Sequence, residues 1–129
     1  MNEPRFLSRA QILSLHSRSI AAYGGTLGIR DQGGLDAAIN HPKNVFFYGG
    51  GDLFDLAAAY AFHIAEGQCF LDGNKRTAAG AALTFLRVNS VQLIFGEREI
   101  YDLLIAIAEK RATKNDLADY LRKASQSNT

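Results

Sequence analysis

Cysteine and tryptophan are nearly absent from this chain of 129 residues, which has one cysteine, Cys69, and no tryptophan. A single cysteine excludes an internal disulfide and a cysteine metal cluster. The net charge is only +1, which argues against strong nonspecific binding to nucleic acid. No membrane span is predicted, since Asp52, Asp55, His63 and Glu66 interrupt the longest apolar stretch. The N-terminus lacks a charged-then-apolar signal pattern, so we expect a cytoplasmic protein.

The apolar residues recur mostly at helical spacing, which predicts an all-α fold. Length and composition predict one domain over 1–129, with a frayed tail at 125–129. We expect loops at 24–30 and 43–51 and a short extended segment at 91–95. The bundle should contain about six helices, at 8–23, 31–41, 52–67, 73–88, 97–110 and 113–123. The helix at 73–88 is rich in small residues, so a neighbouring helix can pack close to it, as suits the centre of a bundle.

Chemistry-bearing residues are concentrated at the predicted start of that central helix, where the chain reads Asp72-Gly73-Asn74-Lys75-Arg76. Helix N-termini expose unpaired N–H groups and a partial positive charge, so they bind phosphate readily. The positive charges of Lys75 and Arg76 are repelled by that partial charge, so their position is unfavourable unless an anion binds there. The plain alternative is a solvated cationic pair. Asp72 could cap the helix, or it could hold the Mg²⁺ that accompanies a phosphate.

The same residues resemble the signature of the Fic/Doc family, and in particular of its Doc (death-on-curing) branch. The Doc signature is His-x-Phe-x-Asp-Gly-Asn-Lys-Arg, and this chain has Gln68-x-Phe70-x-Asp72-Gly73-Asn74-Lys75-Arg76. The resemblance extends upstream through Tyr23-Gly24-Gly25 and Gly28-Ile29-Arg30-Asp31, and downstream through Leu86-Arg87-Val88-Asn89. It covers roughly residues 9–122, the core of the domain, and implies the Fic/Doc bundle, with an active-site loop at the N-terminus of the central helix.

The resemblance also implies a function and a site. Doc proteins are toxins of Phd/Doc toxin–antitoxin modules that transfer the γ-phosphate of ATP to a threonine of elongation factor Tu. It implies Mg²⁺ on Asp72, with phosphate held by Gly73, Asn74, Lys75 and Arg76, the side chains of Asn74 and Lys75 assisting. Asp72 and Lys75 are thereby candidate catalytic residues, together with position 68. The implied partner is a Phd-like antitoxin segment that folds in a groove of the toxin.

Gln68 departs from the family at the position of its catalytic histidine. A glutamine amide can orient a hydroxyl by hydrogen bonding, but it cannot take the proton near neutral pH. Three histidines, His16, His41 and His63, are weak candidates for a replacement base, and Asp72 is a further one. The protein is therefore expected to be a slow kinase or an inactive relative that binds antitoxin and nucleotide. Gln68 is compatible with natural divergence and with a deliberate replacement that disarms a lethal toxin.

The predicted loop at 43–51 contains the aromatic run Phe46-Phe47-Tyr48 followed by three glycines. In Fic/Doc folds this connection is expected to form a flap that docks an extended target segment beside the active-site loop. The resemblance therefore implies that the three aromatic residues are docking residues. An equally good interpretation is that they cover the edge of the core.

Overall fold

Six α-helices and one short π-helix account for most of the computed structural model, which describes residues 2–126. The α-helices are α1 (Arg9–Tyr23), α2 (Gln32–Asn44), α3 (Leu53–Gly67), α4 (Asn74–Val88), α5 (Glu97–Ala108) and α6 (Lys114–Gln126). The π-helix spans Val45–Gly49. Over the described range the structure has no β-strand, which confirms the all-α prediction. None of these helices is both long and apolar enough to cross a bilayer.

Local capping explains where several helices begin. The side chains of Ser8, Asp31 and Asp52 each accept a backbone N–H three residues ahead and so start α1, α2 and α3. At α6 the Thr113 hydroxyl accepts the N–H of Asp116 at 3.1 Å, and the Asp116 carboxylate accepts that of Thr113 at 2.8 Å. Thr113 and Asp116 therefore form a reciprocal capping box at the start of α6.

Three predictions of local structure were wrong. α2 does not stop before Pro42 but continues through it, and the residues after Asn44 form a π-helix and not a loop. Pro42 lacks the N–H for its helical hydrogen bond, but its side chain is buried in the core side of α2. Residues 91–95 form no regular element and bend at Ile94 and Phe95, so they are not one extended segment. Of the predicted tail, Ser125 and Gln126 lie in the last turn of α6, and residues 127–129 lie outside the described residues.

The core is organised around α3 and α4. α3 packs against α2, α4, α5 and α6, and α4 packs against α1, α3 and α5. The run Ala78–Ala82 on α4 is fully buried, as expected for the centre of the bundle. A Cβ added at Gly80 would lie 3.0 Å from Glu97 Oε1 and 3.6 Å from Leu15 Cδ2. Small residues thus allow α1 and α5 to approach α4 closely, and these contacts position its N-terminus.

Candidate functional site

The signature residues lie where α3 ends and α4 begins, and two left-handed residues bound the connecting loop. Gln68 ends α3 with φ of +47°, and Gly73 precedes α4 with φ of +75°. A Cβ at Gly73 would also lie 3.1 Å from Ile20 Cδ1. The left-handed region suits glycine, whereas a glutamine there is strained. Gln68 therefore needs contacts that hold it in place.

Hydrogen bonds and ring stacking from buried and half-buried side chains stabilise the loop between these two residues. Asn74 Oδ1 accepts the N–H of Phe70, and Asn74 Nδ2 donates to the carbonyl of Phe70, both at 3.0 Å. The ring of Phe70 is buried and stacks on His16, with centroids 3.8 Å apart. His16 Nε2 donates to the carbonyl of Asp72 at 2.8 Å; a carbonyl only accepts, so Nε2 carries the proton. Asn74 and His16 thus fix the shape of the loop.

A second segment, residues 24–31, lies alongside the loop. Ile29 forms an isolated antiparallel bridge with Phe70, and the N–H of Leu71 donates to the carbonyl of Gly28 at 3.0 Å. The N–H of Thr26 donates to Asp72 Oδ2 at 2.7 Å. The sequence placed this segment in a loop, but only the fold places it beside the signature.

A cleft of about 320 Å³ opens at the start of α4. Asp72 contributes to it and does not cap the helix, because Gly73 is the N-cap residue and no side chain caps α4. Lys75 also lines the cleft, so an aspartate, a lysine and an uncapped helix N-terminus share one surface. The lining residues are Ala65, Gln68, Leu71, Asp72, Gly73, Asn74, Lys75, Arg76 and Tyr101.

Arg76 is held at the border of the cleft by two aromatic rings. The central carbon of its guanidinium lies 4.0 Å from the ring centroid of Tyr23 and 4.0 Å from that of Tyr101. Contact between a cation and the face of a ring is electrostatically favourable and restrains the guanidinium. The two tyrosines come from α1 and α5, so their association with Arg76 could not be read from sequence spacing.

Gln68 is held by Arg30. Arg30 Nε donates to the backbone carbonyl of Gln68 at 3.0 Å, and Arg30 Nη2 donates to its side-chain oxygen at 3.3 Å. The backbone N–H groups of Arg30 and Asp31 both donate to the carbonyl of Cys69, at 2.8 and 3.1 Å. In the sequence, Arg30 belongs to the upstream part of the family resemblance, which implies no role for it.

The other candidate bases and nucleophiles lie outside the cleft lining. His16 stabilises the loop through its contacts with Phe70 and Asp72, as described above. His41 and His63 contact each other, with ring centroids 3.8 Å apart, and Lys114 Nζ donates to His63 Nε2 at 3.3 Å. Burial, with the neighbouring His41 and Lys114, lowers the pKa of His63 to about 4. Cys69 is buried, and this burial raises the pKa of its thiol, which makes the thiol less reactive.

The three aromatic residues of the predicted flap are not brought to the cleft. Phe46 and Phe47 contact the ring of Phe6, which lies 6.3 Å from the ring of Phe85. Phe85 is eleven residues beyond Asn74 on α4, a distance of about 16 Å along the helix. Phe46 packs at the edge of the core, whereas Phe47 and Tyr48 are exposed. Residues 24–31, and not the aromatic run, adjoin the signature loop.

Fold and cleft together define a small helical protein with cationic groups and one carboxylate at the start of its central helix. A sequence profile described as the Fic/DOC family matches residues 6–86, and the chain belongs to this family. It is 38% identical over 120 residues to Protein kinase doc of Escherichia phage P1, covering 92% of this chain and 94% of that protein. It is also 38% identical over 119 residues to Toxin Doc of Mycolicibacterium smegmatis, covering 88% of each chain.

Proposed function

We propose that this protein is a Doc-type toxin that transfers the γ-phosphate of ATP to a threonine of elongation factor Tu. Family membership supports the proposal, as do two relatives named as a kinase and as a toxin that align over most of the chain. The observation that carries it is the cleft, where Asp72, Lys75 and the uncapped start of α4 meet. Phosphoryl transfer depends mainly on positioning and charge stabilisation. These groups offer both.

The protein groups fit a Mg²⁺ ion that also binds the phosphates. Asp72 lines the cleft, and only one of its carboxylate oxygens accepts a backbone N–H. Over residues 2–126 no cluster of three acidic, histidine or cysteine side chains could enclose a metal ion. Mg²⁺ commonly uses one or two protein carboxylates and completes its shell with phosphate and water. When bound, it would neutralise phosphate charge, and Asp72 would hold it.

The side chains of this chain would divide the remaining work. Lys75 and the first N–H groups of α4 would bind phosphate oxygens. Arg76, restrained by its two tyrosines, would add positive charge at the cleft border. The Asn74 side chain has both polar atoms engaged within the loop. Only its backbone N–H is therefore proposed to contact phosphate.

Gln68 should slow this reaction without abolishing it. The cleft lining contains no histidine, so its remaining basic acceptor is the carboxylate of Asp72. Loss of a general base typically costs about 10²–10⁴-fold in rate. We therefore propose slow transfer by the unmodified chain and faster transfer by a Gln68→His variant. A Phd-like antitoxin is the proposed partner, since one relative is named as a toxin.

The test compares the protein with Gln68→His in the presence of Mg²⁺, elongation factor Tu and ATP labelled at the γ- or the α-phosphate. We expect γ-label on elongation factor Tu, at a rate that rises about 10²–10⁴-fold in the histidine variant. Asp72→Ala should remove it. The matched control is Asp102→Ala, because Asp102 lies on α5 and pairs with Arg98 at the surface.

Each other outcome has a definite meaning. Transfer of α-label would indicate transfer of AMP and would contradict the kinase proposal. Absence of label from both proteins, with a Phd-like antitoxin still bound, would favour an inactive relative that serves as a binding module. Equal rates for the unmodified protein and its Gln68→His variant would show that position 68 does not supply the base.

A further inference from the structure

Arg30 contacts the signature at the one position where this chain departs from it. Its guanidinium makes two hydrogen bonds to the same residue, one to the backbone carbonyl of Gln68 and one to its side-chain oxygen. Arg30 and Gln68 are 38 positions apart, and each lies in an exposed part of the chain. A contact of this kind is made by the fold and not by local geometry.

The backbone contacts hold Gln68 in a strained conformation. Gln68 has φ of +47°, a left-handed backbone conformation that is unfavourable for a residue other than glycine. Arg30 Nε binds the carbonyl of Gln68, while the N–H groups of Arg30 and Asp31 bind the next carbonyl, that of Cys69. These three hydrogen bonds fix two successive carbonyls at the end of α3, and they offset the strain of the turn into the signature.

The side-chain contact determines which end of the Gln68 amide remains available. A guanidinium has only donors, so the amide atom that faces it must be the oxygen. Within residues 2–126 the amide nitrogen of Gln68 has no hydrogen-bond partner in the protein, and Gln68 lines the cleft. The group left for a ligand is therefore an NH₂ group, which donates and cannot accept.

We infer that Arg30 is a positioning residue, which holds Gln68 so that position 68 offers the cleft a hydrogen-bond donor in place of the family's proton acceptor. This inference rests on the proposed nucleotide site and names the class of group that position 68 selects. A donor beside Lys75 and the start of α4 favours an anionic oxygen, such as a phosphate oxygen of Mg·ATP. It does not favour a hydroxyl that must give up its proton.

The first experiment is independent of any ligand. NMR of the ¹⁵N-labelled protein reports the Gln68 side-chain NH₂ signals, and the N–H to Hα coupling reports φ at that residue. In Arg30→Ala we expect the NH₂ signals to move to the position of solvent-exposed glutamines and the coupling to change. Arg30→Lys retains one cationic donor and should restore part of the change. Arg98→Ala, which removes an exposed arginine of α5, should leave both readouts unaltered. Unchanged signals in Arg30→Ala would overturn the inference.

The second experiment measures Mg·ATP binding by calorimetry in a double-mutant cycle. Gln68→Met removes the donor at nearly constant shape and should weaken binding about 3- to 10-fold, the value of one hydrogen bond. Arg30→Ala should weaken it equally, and the double variant should bind no worse than either single variant, because Arg30 acts through Gln68. Additive losses would show that Arg30 contacts the nucleotide itself and would overturn the inference.

The two experiments separate this inference from the proposed function. If the unmodified protein binds no Mg·ATP, the proposed nucleotide site fails, and the NMR result alone decides whether Arg30 positions Gln68. If Mg·ATP binds and the NMR signals do not respond to Arg30→Ala, the site stands and the positioning role is wrong.

Discussion

Asn74 offers the sharpest test of how the signature loop is built, because its side chain has two rival roles. The family resemblance implies that it assists phosphate binding. In the structure its amide oxygen and nitrogen both bind the backbone of Phe70 at 3.0 Å. Phe70 is buried, so removing the amide would leave a poorly solvated N–H and carbonyl unpaired.

The magnitude for Asn74→Ala follows from those two hydrogen bonds. Each contributes about 0.5–1.5 kcal/mol, so the free energy of unfolding should fall by about 2 kcal/mol. For a chain of 129 residues this corresponds to a Tm lowered by roughly 6–10 °C. Asn74→Asp should lose at least as much, since its second oxygen would face the carbonyl of Phe70, acceptor against acceptor.

Urea unfolding and calorimetry measure the effect, with Asn40→Ala as control, because Asn40 is exposed on α2. The control should change stability by less than about 0.5 kcal/mol. The reasoning would be refuted if Asn74→Ala unfolded like Asn40→Ala while its affinity for Mg·ATP fell. That result would assign the side chain to phosphate and not to the loop.

Three further predictions concern the pH dependence due to His63, the glycines at 24 and 25, and the tyrosine rings that contact Arg76. The folded pKa of His63 is about 4, below its ordinary value of 6.5, so protonation favours the unfolded chain and stability falls as pH drops from 6.5 towards 4. Discounted for the partial exposure of His63, this effect should lower the free energy of unfolding by about 1–2 kcal/mol over that pH range. In His63→Gln the urea midpoint should lose this part of its pH dependence. Gly25→Ala places a Cβ 3.0 Å from the Asp72 side chain at φ of +114°; calorimetry should show a larger loss than Gly24→Ala, where φ is +88° but no atom lies within 4 Å. Tyr101→Leu removes one of the two rings that contact Arg76 and should lower the free energy of unfolding, measured in urea, by about 0.5–1 kcal/mol. An unchanged value would show that this cation–π contact adds nothing to stability.

The parts of the fold that the sequence predicted are those decided within a few residues. The helix starts predicted at 8, 31 and 52 are set by the caps Ser8, Asp31 and Asp52, each of which accepts an N–H only three residues ahead. The buried small residues of α4 were predicted in the same way from a local run. Pro42 misled the prediction because its missing hydrogen bond is a local cost, while the burial that offsets it is contributed by the rest of the fold.

In the candidate site, too, some features follow from neighbouring residues in the sequence and others from the tertiary structure. The sequence by itself determined its chemistry, since the order of residues from Gln68 to Arg76 places a carboxylate and two cations at a helix start and identifies the family. Only the tertiary structure decided the geometry. It directed Asp72 into the cleft, enclosed Arg76 between two tyrosines and set Arg30 against Gln68. These partners are tens of residues apart, and their pairing depends on how the helices pack.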